Sequence, residues 1–496
     1  MNVVLIVADQ LNHRFVCDAN GNQPFSPNID SLGASGAIFD NAYCQAPLCM
    51  PSRASFNTGI YPHACRARHN PVRLDSDFPT LAECLAAQGY KTGGFGHLGG
   101  DGADRGFEQK IDFWQEPLRS AYGNEQAFVL RDGGRSPTSG GVHPFPLEKT
   151  FDGITAEAAT DFINSTNGPF YLQVSFMRPH IPLFVPEPYA GMVGPDEITL
   201  PPSWCDSLKH KPSNVRATRI ALEMEDIEDH GLRSALALYA DAVRFIDGLT
   251  GRIVDCLEKK HLLGDTLIVF TSDHGDYAGE FGIIGKTGQF YDSLVRVPLI
   301  MSCPSAGIPS GRRAGELVAL VDVVPTILEA CGVGQDQLLQ GSSRLSLARG
   351  VADRGADAVF ASTSGHGGEI VGFHHQWKRE MLKPLPTDSY SSGPCSHVMD
   401  GIMVRSGDWK LCSWGDGSAE LYNLNRDPWE RDNLAADPGH AGTIAELQGR
   451  LLRWQMNTWL PDKPQESLPY HYRSAWIESI PEQWRARRLK WEAEHD

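Results

Sequence analysis

Residues 2 to 8, NVVLIVA, are an unbroken apolar and largely β-branched run. Such a run predicts a strand buried on both faces of a parallel sheet. Asp9 follows at its carboxyl end. The segment SPNIDSLGASGAIFDNAY then reads as a turn, a short helix around Ile29 to Ser35 and a strand at Ala37 to Tyr43, which opens a βαβ rhythm. Leu81 to Gln88 has helical spacing and stops at Gly89, leaving Tyr90 to Phe95 for a strand. Phe170 to Phe176 alternates as a strand, and Ser234 to Lys259 is a long amphipathic helix with apolar positions three and four apart. The strong strand Thr266 to Thr271 comes next and is again followed by an acid, Asp273. Val297 to Ser302 reads as another buried strand, and Val323 to Cys331 as a helix begun through Pro325 and ended by Gly332.

From about residue 400 the pattern changes to short strands, Gly401 to Val404, Trp409 to Trp414 and Glu420 to Leu424, separated by SGD, GDGS and NRDP turns. This predicts an antiparallel meander. The expected architecture is therefore α/β: a large, mostly parallel sheet sandwiched by helices over residues 1–370, and a smaller C-terminal antiparallel sheet plus helix over 371–460. Residues 461–496 are rich in Pro, Trp and Arg and include Trp476, Trp484 and Trp491. They read as a C-terminal arm that either packs on its own chain as a helix or clasps a second subunit, so a homo-oligomer, dimer or tetramer, is the expectation.

Composition narrows the function. With 496 residues, 41% hydrophobic and 21% charged, the chain has the balance of a soluble globular protein, and no apolar stretch reaches the roughly 20 residues that span a bilayer. A net charge of −17 argues against gripping nucleic acid or an anionic membrane, and obliges any anionic substrate to find a local positive site. The eleven cysteines are odd in number and scattered, which fits a reducing compartment better than a disulfide framework. No Lys or Arg precedes the first apolar run, so no secretory signal is expected and the reading is cytoplasmic.

The sharpest chemical signal is Cys49-Met50-Pro51-Ser52-Arg53. It resembles the CxPSR signature of the formylglycine-dependent sulfatases, whose maturation enzyme reads Cys, Pro and Arg at those offsets. Other features fall in the family's order: Asp9-Gln10 after the first strand, Pro179-His180-Ile181-Pro182, and SDHGD from Ser272 to Asp276 followed by Lys286. RVPLIM, ALVDVVPTIL and ELYNLNRDPWERDNL extend the resemblance over nearly the whole chain. The resemblance implies an alkaline phosphatase-like fold and a Cys49 converted to formylglycine (3-oxoalanine), whose hydrate supplies one hydroxyl to attack an ester and a second to expel the bound sulfate or phosphate. A thiolate has no second hydroxyl.

The resemblance also implies one divalent metal ion held by Asp9, Gln10, Cys49, Asp273 and His274. Many relatives carry Asp-Asp and Asp-Asn at these places and bind calcium; Gln10 and His274 shift the site towards Mn²⁺ or Zn²⁺ without excluding Ca²⁺. They also bring the chain nearer the arylsulfatase and phosphonate monoester hydrolase branch. His180 and Lys286 match the pair that meets the leaving oxygen, with His180 as proton donor and Lys286 as electrostatic clamp. Arg53, one helical turn from Cys49 if a helix begins near Pro51, braces the diol. Asn70 stands where the phosphonate branch carries a substrate-contacting Asn. Gly96-His97-Leu98-Gly99 departs from the family's Gly-Lys-x-His, so His97 takes either the Lys or, with a gap, the His position beside the substrate.

The resulting expectation is hydrolysis of sulfate monoesters, chiefly aryl sulfates, with promiscuity, on a small anionic ester and after the action of a formylglycine-generating enzyme. The close alternative is a phosphonate monoester hydrolase or phosphodiesterase on the same site. A two-metal phosphatase or phosphomutase is the second alternative, but it needs a second set of Asp and His ligands that the strand ends do not supply.

Overall fold

The structure, a computed structural model, describes residues 1–459 apart from 18–24, 69, 71–73, 100–103, 114, 132–137, 223, 335–337, 352–354 and 365–399. Its large sheet has the strand order Arg312–Ala319, Ala37–Tyr43, Leu299–Ser302, Thr266–Ser272, Asn2–Asp9, Phe170–Pro179, Lys91–Gly96, Gln109–Asp112. The first strand lies between Thr266–Ser272 and Phe170–Pro179, parallel to both. That central position accounts for the unbroken run NVVLIVA, because every residue of Asn2–Asp9 is buried.

Three expectations need correcting. Phe170–Pro179 has no wet face: all of its residues are buried, because it is flanked by parallel strands and covered on both sides. The βαβ rhythm also does not simply continue. Ala37–Tyr43 does not pair with the first strand but sits near the far edge, between Arg312–Ala319 and Leu299–Ser302. Leu299–Ser302 runs antiparallel to both of its neighbours. The segment read as one strand, Val297 to Ser302, is two short strands, Arg296–Val297 and Leu299–Ser302. Pro298 parts them, since it has no N–H to give a ladder.

The sheet divides two hydrophobic layers. On one face Val4, Ile6, Leu172, Val174, Ile268 and Phe270 meet the helices Phe151–Ser165 and Asp229–Lys259. On the other, Val3, Leu5, Val7, Leu267 and Val269 join Val324, Ile327 and the small sheet's Met403, Leu411 and Leu421 in one cluster. That small sheet, Val359–Thr363, Gly401–Ser406, Trp409–Trp414 and Ala419–Asn423, is antiparallel throughout. Its edge strand, Val359–Thr363, lies on the N-terminal side of the expected boundary at residue 371. Residues Met1–Gln455 form one unit and Met456–Asp496 another, of which 456–459 are described. The expected arm, residues 461–496, lies outside the described residues. Among the described residues no helix is long and apolar enough to cross a membrane.

The small sheet is tied to the large one by a buried charge. Lys410 Nζ, on Trp409–Trp414, meets Asp292 Oδ1 at 2.8 Å and Glu430 Oε1 at 2.6 Å with no exposed surface. Removing it takes the cation from buried Glu430 and leaves Asp292 with Arg296, Arg405 and the Tyr43 hydroxyl, so Lys410→Met is expected to lower the unfolding free energy by about 3 kcal/mol. Urea unfolding measures this, and a variant as stable as the wild type would contradict that reading of the seam.

Candidate active site

The two acids marked in the sequence sit at the carboxyl ends of neighbouring parallel strands, where an open α/β sheet has its crevice. Asp9 closes Asn2–Asp9, and Asp273 follows Thr266–Ser272. Both are fully buried. The helix Cys49–Thr58 points its first turn at them. It begins at Cys49 rather than near Pro51, with extended Leu48 as N-cap, and ends at left-handed Gly59. Pro51 falls in the first turn, where a missing N–H costs nothing. Leu48 has no capping side chain, and Asn70 supplies one from a distant loop: Met50 N donates to Asn70 Oδ1 at 2.9 Å.

Cys49 Sγ is 2.9 Å from Lys286 Nζ, 3.3 Å from His274 Nε2 and 3.7 Å from Asp9 Oδ1. Burial, and then the Asp9 charge, pushes its thiol up to about 12. Arg53, four residues on, is buried too. Its Nη2 pairs with Asp9 Oδ2 at 3.2 Å and Asp273 Oδ2 at 2.9 Å, and its Nη1 donates to Ser175 Oγ at 2.6 Å and to the His97 carbonyl. Ser52 Oγ donates to the Asp273 carbonyl, tying the helix start to the neighbouring strand end. Burial alone would raise the Asp9 carboxyl, but Lys286, His180, His97 and Arg53 together hold it well below the ordinary carboxylate range.

His97 Nδ1 lies 2.9 Å from Asp9 Oδ2, so this ring is spent on a buried carboxylate. His180 Nδ1 contacts the Ile181 carbonyl at 2.6 Å, which places a proton on Nδ1 and leaves a lone pair on Nε2. Burial, reinforced by Lys286, pushes His180 down to about 3. Lys286 Nζ is also 3.5 Å from Asp9 Oδ1. Every residue marked in the sequence is thus described. Direct contacts join Asp9, Gln10, Cys49, Arg53, His97, Asp273, His274 and Lys286, His180 makes its hydrogen bond to the Ile181 carbonyl, and Asn70 joins at the helix start through a backbone N–H.

The donors suit a metal ion. Ligand atoms of Asp9, Cys49, Asp273 and His274 lie within 4.8 Å of one another, all buried. His274 Nδ1 faces the Gly275 carbonyl at 2.9 Å, which turns the Nε2 lone pair towards Asp273 Oδ1 at 3.7 Å and Asp9 Oδ1 at 3.8 Å. Burial pushes this ring down to about 4 against the pull of Asp273, and a neutral imidazole is the ligating form. Gln10, held at φ 67°, has a buried Oε1 with no hydrogen-bond partner among the described residues. A buried amide oxygen left alone costs about 1–3 kcal/mol unless something accepts its lone pairs, as a cation does. Ser52, Ser175 and Asp276 were not singled out as site residues in the sequence. Ser52 and Asp276 lay inside quoted motifs, whereas nothing near Ser175 signals its partner.

Helices on both faces of a mostly parallel sheet, with a buried cysteine at a helix start beside two strand-end acids, define a sulfatase of alkaline phosphatase-like fold. Residues 1–333 match the sulfatase family, and the chain belongs to it as a sulfuric ester hydrolase. It is similar to choline-sulfatase of Rhizobium meliloti, 26% identical over 92% of this chain and 88% of that protein. Arylsulfatase K of Xenopus laevis is 26% identical over 88% of this chain and 79% of its own length. The fold matches the phosphonate monoester hydrolase of Agrobacterium radiobacter with a TM-score of 0.74 at 22% identity, covering 92% and 96% of the two chains. Family membership implies a formylglycine and a divalent metal ion.

Asn70→Ala removes the remote cap of the helix that carries Cys49. It is expected to cost about 1 kcal/mol of stability, visible as a lower unfolding midpoint in denaturant. An unchanged midpoint would mean the Met50 N–H needs no cap.

Proposed function

We propose that the chain hydrolyses sulfate monoesters, chiefly aryl sulfates, through formylglycine formed at Cys49. The observation that carries this is Cys49 Sγ inside the buried acid cluster, 2.9 Å from Lys286 and 3.3 Å from His274. Cys49 is only 6% exposed, so a maturation enzyme would read the CMPSR segment before the fold closes over it. Asp9, Gln10, Asp273, His274 and residue 49 would hold the metal, with the imidazole favouring Mn²⁺ or Zn²⁺ over Ca²⁺. When bound, the ion lowers the pKa of a diol hydroxyl and neutralises charge on the ester.

The chain's own residues do the rest. Arg53 fixes Asp9 and Asp273. Lys286 sets a positive charge against the attacking atom and the incoming anion. His180 donates to the leaving oxygen. It stands neutral in this structure, so the ester's negative charge must offset Lys286 and draw a proton to Nε2. Among the described residues, Lys286 is the cation in contact with Cys49, which supports an anionic ester: sulfate monoesters and, as the second reading, the equally monoanionic phosphonate monoesters and phosphodiesters.

The peptide mass of the protein expressed with a maturation enzyme should show sulfur and two hydrogens at Cys49 replaced by one oxygen; a free thiol there would sink the reading. Against aryl sulfates, phenyl phosphonates and phosphodiesters, sulfate turnover should lead. His180→Ala is expected to cost roughly 10²–10⁴-fold in kcat with a poor leaving group and distinctly less with an activated nitrophenyl ester. An equal loss on both would remove His180 from proton delivery.

A further inference from the structure

Gln10 offers the metal an oxygen only if its amide is turned the right way, and the two ends of an amide are nearly the same size. Its backbone is pinned: Gln10 N donates to Asp273 Oδ1 at 3.1 Å, and the Gln10 carbonyl accepts from Tyr239 Oη at 2.6 Å. Neither contact sets the amide. The side chain's one hydrogen bond runs from Nε2 to Asp276 Oδ2 at 2.5 Å. Asp276 is itself fully buried and accepts from Ala278 N at 2.7 Å and from Gly285 N at 3.0 Å on each oxygen. Backbone N–H groups converging on both oxygens leave it only an acceptor's role towards Gln10, so Nε2 must face Asp276 and Oε1 must face away.

We propose that Asp276 is a positioning residue that orients Gln10 as a metal ligand, while its grip on Gly285 N seats the turn bearing Lys286. One carboxylate thereby coordinates the placing of a ligand on the first strand with that of the cation that faces Cys49. The inference rests on the metal site described under the proposed function.

The test uses the full-length chain with Cys49 unmodified and reads Mn²⁺ and Zn²⁺ affinity by competition with a chromophoric chelator, together with melting in the absence of metal. Asp276→Asn should weaken metal binding roughly 10–100-fold, the range typical of groups that orient a ligand. Gln10→Glu combined with Asp276→Asn reverses donor and acceptor across the same contact and should restore affinity to within about threefold of wild type. In a Gln10→Leu background, Asp276→Asn should cost nothing further. Two results would overturn the inference: a folded Asp276→Asn chain that binds metal like wild type, or an undiminished penalty in the Gln10→Leu background. If Asp276→Asn fails to fold alone, recovery of folding and metal binding by the reversed pair supports the inference. Failure of both reduces Asp276 to a structural carboxylate and overturns it. Absence of metal binding by the wild type would instead sink the metal reading itself.

Discussion

Two fully buried carboxylates, Asp9 and Asp273, stand at the ends of adjacent strands with ligand atoms less than 4.8 Å apart. Everything nearby answers that constraint. Two like charges at about 4 Å repel by about 4 kcal/mol at an effective dielectric of 20, and each has also given up its hydration. Arg53 meets both at once through Nη2, while its Nη1 reaches Ser175 Oγ and the His97 carbonyl. Lys286 reaches Asp9 at Oδ1, and His97 shares Oδ2 with Arg53. A divalent cation would complete a cluster whose charges are otherwise only partly matched.

The fold makes such crowding sustainable. Parallel strands bring their carboxyl ends to one edge, so residues 264 positions apart become neighbours there. The helix Cys49–Thr58 then presents its first turn to the pair, and its positive end adds a favourable partial charge. Ser272 stitches the edge together: its Oγ accepts from Leu11 N and lies 2.9 Å from the Ala8 carbonyl and 2.7 Å from the His274 carbonyl, its one proton going to either. Asp9 is the last residue of its strand, and Asp273 is the first residue after its own.

Much of this was legible in the sequence because the central strands are covered on both faces and so appear as continuous apolar runs. NVVLIVA and TLIVFT carry that signature, and each is followed by its acid. Direction is another matter. Nothing in LIMS records that it runs antiparallel, because burial on two faces looks the same whichever way a strand points. Phe170–Pro179 seemed to alternate because Gln173 and Ser175 are polar, yet both are buried, and Ser175 earns its place by accepting from Arg53. Asn70 was visible as a residue and not as a cap, since its partner is a backbone N–H twenty positions away. Asp276 was visible within SDHGD, but an acid's contact to an amide 266 residues earlier leaves no mark along the chain.

The same electrostatics show why a thiol at residue 49 would serve poorly. As a thiolate it would be a third anion beside Asp9 and Asp273, and burial with those neighbours pushes its ionisation up to about 12 despite Lys286 and Arg53. Without metal such a thiol stays protonated and weakly nucleophilic near neutral pH; with metal its thiolate would consume charge that an anionic ester needs. A hydrated aldehyde at the same position is uncharged until the moment one hydroxyl is needed, so the cations remain free for the substrate. On the proposed function, the packing that makes Cys49 a poor nucleophile would favour its oxidised, hydrated form.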